Sequence, residues 1–376
     1  MTDRTSREPP ERRVVGSAVV YRLYDVGYEV LLDRVPPLLS SDSVGRARPT
    51  QREGQALLIR NPPVTVSLGI EPVVVRGETV RAEASARVFD FGVVSLRLRV
   101  PARPGLSWEE FADFGIAAGA GTSFTPVFER LLATLVHRLG PAIVRPTVAS
   151  VNEDYVVFRI TSLADEAGTP LSGDVLTDDD VTAILLDEHR PLSAAAKKEL
   201  LPNRFSYYGT DLAILTWNNA LVLESAPEEA DVQFVLEFAN AQLLELRMYD
   251  ALLDAELPRL NARVAAARAR RWRLPRGYAT VMGALQTLVA DSTELVERVE
   301  NSFKVTDDVY LARVYSAAID IFRGRTWRQG IDRKLALLRE TYAMLHDEAQ
   351  AWRAEVLEVV VVLLIVAELL AALLHK

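Results

Sequence analysis

Residues 230–267 read ADVQFVLEFANAQLLELRMYDALLDAELPRLNARVAAA. Apolar side chains recur in this stretch at spacings of three and four residues, which is the pattern of one helical face. The pattern lasts for about five heptads and is typical of coiled-coil-like packing. A single partner helix of about 26 residues, over 278–303, is too short to cover this stripe. We therefore predict a helical stalk and a homo-oligomer interface that contains Leu243, Leu246 and Leu253.

The chain before this stretch has a different pattern. Short strand-like runs are separated by proline and glycine, and one run alternates apolar residues from Val94 to Val100 with Ser95, Arg97 and Arg99. The sequence thus predicts an α+β fold, with a mixed α/β head, a long antiparallel, coiled-coil-like helical stalk and one C-terminal transmembrane helix. The predicted segments are a disordered tail at 1–14, an α+β domain at 15–226, the stalk at 227–355 and an anchor at 356–374.

The C-terminal segment from Val356 to Leu374 is the basis for the predicted anchor. It spans about 28 Å as a helix, close to the roughly 30 Å of a bilayer core. Ile365 lies near its centre, and Glu358 and Glu368 interrupt it. Because the Val, Leu and Ile residues contribute roughly 4–7 kcal/mol against about 3 kcal/mol for a central acid, insertion is expected to win narrowly. The alternative is a buried helix in an oligomer.

Composition and motifs argue against several kinds of site. A net charge of −8 disfavours nucleic-acid binding by the whole chain, and the absence of cysteine excludes thiol chemistry and disulfides. None of the four histidines has metal-ligand spacing, and the glycine-rich stretch at 115–123 lacks a Walker lysine. We predict no catalytic residue, metal or cofactor, and no small-molecule substrate is identified. Glu237 and Glu245 are expected to form interhelical salt bridges.

An arginine-rich stretch at 259–276 contains no acidic residue. It leaves three alternatives open: a solvated helix end, contact with anionic lipid headgroups, or contact with RNA or a ribosome. The residues predicted to meet lipid or RNA are Arg268, Arg270, Arg271, Trp272, Arg273 and Arg276.

Four stretches resemble the required-for-meiotic-nuclear-division family, an uncharacterised family with bacterial, fungal and mitochondrial members. They are VFDFGVV at 88–94, TWNNALVL at 216–223, LLELRMYD at 243–250, and the closing helix with Glu358 and Glu368. The similarity extends over roughly residues 80–374 and has no catalytic signature. It implies a membrane-associated, self-assembling protein; mitochondrial members are linked to organellar translation. The lack of a presequence favours a bacterial member.

These observations predict a non-enzymatic, membrane-anchored, self-assembling scaffold or assembly factor. Its expected location is the bacterial inner membrane, with one C-terminal span and the N-terminal bulk in the cytoplasm. Membrane lipids, further copies of the chain and an anionic molecule are the expected partners. The alternatives are an RNA- or ribosome-binding membrane tether that uses the arginine-rich stretch, and an enzyme with an unrecognised site in the α+β head.

Overall fold

The computed structural model describes most of the chain, in eleven segments: 12–39, 44–46, 57–59, 61–120, 124–147, 151–208, 210–224, 231–269, 275–301, 303–305 and 309–374. The chain divides into two compact units. The head unit comprises residues 1–245 and 298–325, and the helical unit comprises 246–297 and 326–376.

Strands dominate the head unit. They are β1 (Arg13–Asp25), β2 (Gly27–Val30), β3 (Val44–Arg46), β4 (Leu57–Ile59), β5 (Val64–Val75), β6 (Glu78–Val88), β7 (Val93–Pro101), β8 (Leu106–Ser107), β9 (Ile143–Pro146), β10 (Asn152–Ala164), β11 (Arg204–Phe205), β12 (Leu212–Leu215), β13 (Asn219–Leu223) and β14 (Phe303–Val305). The main sheet has the order β11-β12-β13-β10-β1-β7-β6-β5-β3, with β8 also paired to β1. Its β10–β13 pair is parallel and its other pairs are antiparallel. Two smaller sheets pair β2 with β9 and β4 with β14.

The described helices are concentrated after the sheet. They are α1 (Val35–Leu38), α2 (Trp108–Gly119), α3 (Thr125–Leu139), α4 (Asp178–Leu186), α5 (Ala194–Leu200), α6 (Asp231–Ala269), α7 (Pro275–Asn301), α8 (Val309–Ile321) and α9 (Gly324–Leu374). Ser107-Trp-Glu-Glu110 and Thr177-Asp-Asp-Asp180 predict a helix start at each position, and capping boxes do begin α2 at Ser107 and α4 at Thr177. The structure thus has an α+β head and a helical C-terminal region, whereas the transmembrane part of the predicted fold class is wrong.

One face of the main sheet carries the hydrophobic core. The alternating residues from Val94 to Val100 on β7 are fully buried there, together with residues of α2, α3 and α4. Gly115 allows α2 to approach the sheet, since a Cβ at this position would lie 2.9 Å from the Phe158 ring. The period-two alternation thus predicted correctly which side chains of β7 face the core.

The opposite face of the sheet carries polar and charged side chains among apolar ones, and it is also covered. We call it the polar face. Ser95 of β7 and Arg87 of β6 are buried on this face, although the alternation along β7 is typical of a strand with one face in solvent. The covering element is the first part of α6, where the Phe238 ring lies 5.3 Å from that of Phe89 and Glu237 forms an ion pair with Arg87. Glu237 therefore bonds to a strand and does not follow the predicted interhelical pairing. The hydropathy of β7 alone cannot predict that this face is covered, because the covering helix α6 comes about 140 residues later in the sequence.

Two buried polar side chains of α6, Gln242 and Asn240, form hydrogen bonds inside the head unit. Gln242 Nε2 donates to the Val299 carbonyl oxygen at 2.8 Å, and Gln242 Oε1 accepts from the Tyr315 hydroxyl at 2.5 Å. Asn240 Nδ2 donates to the Leu236 carbonyl oxygen at 3.0 Å. A buried polar group without such partners would destabilise the fold. These bonds satisfy part of the polar surface that α6 buries over its first four turns.

In the helical unit, ion pairs connect α6 and α9. Lys334 Nζ lies 2.7 Å from Asp250 Oδ1 and 2.6 Å from Asp254 Oδ1. Burial by itself would lower the pKa of Lys334, but its hydrogen bonds to these two aspartates outweigh burial and raise that pKa. Asp250 interrupts the apolar stripe of the sequence, and this lysine accounts for its position.

The predicted membrane anchor is wrong. Among the described residues, no helix combines the length and the apolar character that a membrane crossing requires. The segment 356–374 is the end of the 51-residue helix α9, and residues 354–371 contain Glu355 as well as Glu358 and Glu368. A carboxylate inside a bilayer is costly, and Glu358 and Glu368 both lie within the segment, with Glu355 just before it. The prediction of a transmembrane helix is therefore wrong, and the predicted single-pass location in the inner membrane is wrong for the same reason.

Candidate functional site

The arginine-rich site predicted from the sequence lies at the junction of α6 and α7. The side chains of Arg268, Arg270, Arg271, Trp272, Arg273 and Arg276 lie outside the part of the chain that the structure describes. The prediction that they bind an anionic partner therefore stays a prediction.

The leucines predicted at an oligomer interface lie on α6. Leu243, Leu246 and Leu253 are all buried within a single chain. Little of their surface is open to a second copy, so any interface through them would need a rearrangement of the chain. The interface prediction is untested, and the structure directs attention to more exposed apolar residues.

The exposed apolar surface of α9 is the most extended one in the described chain. The eight consecutive residues Val359–Val366 are apolar, and each is between 45% and 64% exposed. Eight residues make more than two helical turns, so apolar side chains cover every side of the helix. Ile365 belongs to this run, and Glu358 and Glu368 lie just outside its two ends, also exposed. We call residues 359–366 the apolar run.

A second feature is a group of buried charges in the head unit. Asp25 ends β1 and accepts a hydrogen bond from the Gly27 amide at 3.1 Å. Burial raises its pKa to about 6, although this amide and the Thr147 side chain act in the opposite direction. Glu245 of α6 has a pKa raised well above its ordinary value, first by burial and then by Asp25, while Arg298 lowers it. Both carboxyl groups are therefore held in surroundings that favour their neutral forms.

These acids do not form an accessible active site. Asp25 and Glu245 are 5% and 2% exposed, so neither carboxyl group is open to a substrate. Within the described residues, no group of three or more acidic or histidine side chains is arranged to hold a metal ion. The arrangement acts on stability, because a carboxylate buried at neutral pH must lose its hydration.

We predict that Asp25→Asn stabilises the head unit at neutral pH. The folded-state pKa of about 6 lies above the unfolded value of 3.8, so the folded chain binds the proton more tightly. The contribution of Asp25 to the free energy of unfolding therefore falls as the pH rises from about 4 to about 6. Above pH 6 it is about 3 kcal/mol lower than it is below pH 4. Urea unfolding should show the Asp25→Asn variant to be more stable than the unmodified chain at pH 7 by up to about that amount, with little difference at pH 4.

The matched control is Asp113→Asn, which alters an exposed carboxylate of the same unit. This control should retain the pH dependence of the unmodified chain. An Asp25→Asn variant that is less stable than the unmodified chain at pH 7 would contradict the assignment. So would a variant whose free energy of unfolding differs from that of the unmodified chain by the same amount at pH 4 and pH 7.

Sequence reasoning missed Asp25 and the buried arginine Arg159. A usable signal exists for Arg159, since it interrupts the apolar strand residues Val156, Val157, Phe158 and Ile160. An arginine inside such a run indicates either an edge or a charged pocket. Asp25 carries no comparable signal, because its burial results from residues distant in the sequence.

Comparison with known proteins places the head in a family. The profile of a family described as "Uncharacterized protein MJ0711, N-terminal domain" matches residues 15–229. The chain belongs to this family. A relative from Methanocaldococcus jannaschii, the uncharacterized protein MJ0711, is 24% identical over 196 residues, which are 51% of this chain and 58% of the relative. The match thus spans little more than half of that relative's length. No solved structure matches the chain.

The family carries no assigned activity in its description. It supports the prediction of an uncharacterised family, but not the specific name that the four sequence stretches suggest. The matched residues include β1, β7 and β10, so the polar face of the main sheet belongs to the part shared with the family.

Proposed function

We propose that the protein is a non-enzymatic, self-assembling scaffold. In this proposal, copies of the chain associate through the apolar run of α9 and display the α+β heads. The observation that carries it is the exposure of eight consecutive apolar residues on every side of one helix. Soluble proteins rarely expose contiguous apolar surface of more than a few hundred Å² without an interaction that uses it.

A second copy of the chain is the occupant that fits this surface. A helix with a single apolar stripe can be covered by one groove, whereas a helix that is apolar all round needs neighbours on several sides. Identical helices from other copies supply such neighbours, and closed symmetric association would cover all of them at once. Glu358 and Glu368, at the ends of the run, can stay at the rim of such a bundle.

The double substitution Leu363→Gln and Leu364→Gln is expected to weaken self-association by about a hundredfold or more. Both side chains are more than 60% exposed in one chain, and burying a leucine contributes about 1.5–3 kcal/mol. Light scattering and sedimentation over a range of concentrations would measure the assembly. Circular dichroism would verify that the helix persists.

Leu337→Gln is the matched control. Leu337 is an exposed leucine of the same helix, 55% exposed, but it lies outside the apolar run. Its substitution should leave the assembly unchanged. Full-length protein that remains monomeric at every concentration would refute the proposal.

Two further predictions from the sequence are kept as secondary proposals: the role of the arginine-rich stretch and the family relation. The arginine-rich stretch is proposed to meet an anionic partner, either RNA or lipid headgroups, on the strength of its charge alone. A catalytic role for the head is not proposed, since its perturbed acids are buried. The relation to the required-for-meiotic-nuclear-division family is proposed from the four sequence stretches. This relation would be contradicted by a structure of a member of that family that lacks the β6–β7 hairpin or the packing of α6 on the sheet.

A further inference from the structure

The polar face of the main sheet contains a cleft with three arginines. Strand β1 lies between β7 and β10, and its residue Val19 is paired with Arg99 on one side and with Val157 on the other. Side chains two residues apart on one strand share a face, so Arg97 and Arg99 of β7 project to the same side as Arg159 of β10. All three line one cleft of about 480 Å³ in the head unit. We call it the arginine cleft.

The lining of the arginine cleft carries a net positive charge. Glu83 is the one acid among the lining residues described, and it lies 3.3 Å from Arg99. Arg97 Nε donates to the Ser85 hydroxyl at 2.9 Å, a neutral partner. Three guanidinium groups and one carboxylate give the lining a formal charge of +2, whereas the whole chain has −8.

The depth of the cleft places one cation in a dry environment. Arg159 is only 4% exposed, while the Arg99 side chain is 41% exposed. The pKa of Arg159 is lowered first by burial and then by Arg99, with Glu224 acting in the opposite direction. Glu224 therefore offsets part of the repulsion among the three cations, and an anion that reached all three would offset more of it.

Two further residues that line the arginine cleft have buried polar groups without a hydrogen-bond partner in the described part of the chain. Gln233, in the first turn of α6, is 3% exposed, and its Nε2 makes no hydrogen bond to any described residue. The Thr65 hydroxyl of β5 is buried and likewise makes none within the described part of the chain. Both residues line the arginine cleft. Buried donors are normally satisfied, so these two, at the wall of a positively charged cleft, fit the oxygens of a bound anion.

We propose that the arginine cleft binds a small organic phosphate. Guanidinium groups recognise phosphate oxygens through paired hydrogen bonds, and the Thr65 and Gln233 donors add neutral contacts. The volume exceeds that of a bare ion and lies in the range of sites for small molecules, about 300–1,000 Å³. Val19 and Ile70 provide an apolar wall for the carbon part of the ligand. The described lining has no aromatic side chain, so the ligand is not held by stacking of a base.

The test is calorimetric titration of the full-length chain with inorganic phosphate, pyrophosphate, ribose 5-phosphate and a single-stranded RNA oligonucleotide. Ribose 5-phosphate is expected to bind, with an affinity that falls as salt rises. Arg159→Gln should lower that affinity about tenfold or more, because it removes a charge-assisted contact in a dry site. Arg99→Gln at the exposed mouth provides a second variant that leaves the buried residues of the cleft intact.

Arg103→Gln is the control, since Arg103 follows β7 on the sequence, is exposed and pairs with Glu78 away from the cleft. It should bind like the unmodified chain. Failure of all three small phosphates to bind, or equal binding by both cleft variants and the control, would overturn the proposal. Binding of the RNA alone would also overturn it, in favour of a polymeric ligand. None of these outcomes depends on the oligomeric state of the chain.

Discussion

Gly92→Ala is expected to destabilise the head unit by more than about 4 kcal/mol, or to prevent its folding. Gly92 has φ of +95°, in the region that side chains with a Cβ rarely adopt. A Cβ at this position would lie 1.8 Å from the carbonyl oxygen of Gly27 and 2.9 Å from its carbonyl carbon. Both atoms are backbone, so no rotation of a flexible side chain can relieve the contact.

The surrounding hydrogen bonds prevent the two segments from separating. The Val26 amide donates to the Gly92 carbonyl oxygen at 2.9 Å, and the Val30 amide donates to the Asp90 carbonyl oxygen at 3.0 Å. Strand β2 is thus attached to the turn between β6 and β7 on both sides of the close approach. Moving the turn outward would break these bonds and expose buried backbone groups.

Gly77→Ala is the control, because it introduces backbone strain without a steric clash. Gly77 also has a positive φ, +79°, but a Cβ there would meet no described atom within 4 Å. Its substitution should therefore cost only the strain of the left-handed conformation, about 1–2 kcal/mol. Urea unfolding followed by circular dichroism measures both variants, with soluble yield as a second readout. Equal stability of the two variants would show that the close approach to Gly27 is not a constraint.

Glu237→Ala is expected to destabilise the head unit by about 3–5 kcal/mol. Glu237 lies on α6 and pairs with Arg87 of β6, and both residues are 3% exposed. Arg87 also lies over the Phe234 ring, with its guanidinium carbon 4.7 Å from the ring centroid. Removing the carboxylate leaves the guanidinium in a dry environment without this charged partner, and this loss outweighs that of the contact itself.

A double substitution distinguishes an ion pair from simple packing. Arg87→Met combined with Glu237→Leu removes both charges and retains much of the volume, so it should be far less damaging than Glu237→Ala alone. Glu78→Ala, which removes one partner of an exposed pair with Arg103, should change the free energy of unfolding by less than about 0.5 kcal/mol. If the double variant were as unstable as the single one, the loss would have to come from packing against α6.

Local sequence patterns predicted much of the head. The alternation on β7 identified the core-facing residues from Val94 to Val100, and the capping boxes at Ser107 and Thr177 located two helix starts. These features depend on neighbours within a few residues, through side-chain period and backbone hydrogen bonding. The change to helix near residue 230 also follows from spacing alone. For the same reason, the α+β class could be predicted without any knowledge of the family.

The sites were predicted poorly because each depends on distant residues. The arginine cleft combines strands β7 and β10, which are neighbours of β1 in space but lie about 60 residues apart in sequence. The raised pKa of Asp25 depends on burial that its own strand does not indicate. In the C-terminal helix, hydropathy alone predicted a membrane anchor at 356–374, and this prediction is wrong.

The sequence by itself determined the core-facing side of β7, the starts of α2 and α4 and the change to helix near residue 230, since these follow from local periodicity and capping. Tertiary structure alone decided that α6 covers the polar face of the sheet, that Glu237 meets Arg87, and that Arg97, Arg99 and Arg159 converge. The physical reason is that burial and electrostatic surroundings are properties of packed neighbours, and strand order brings those neighbours together from distant parts of the chain.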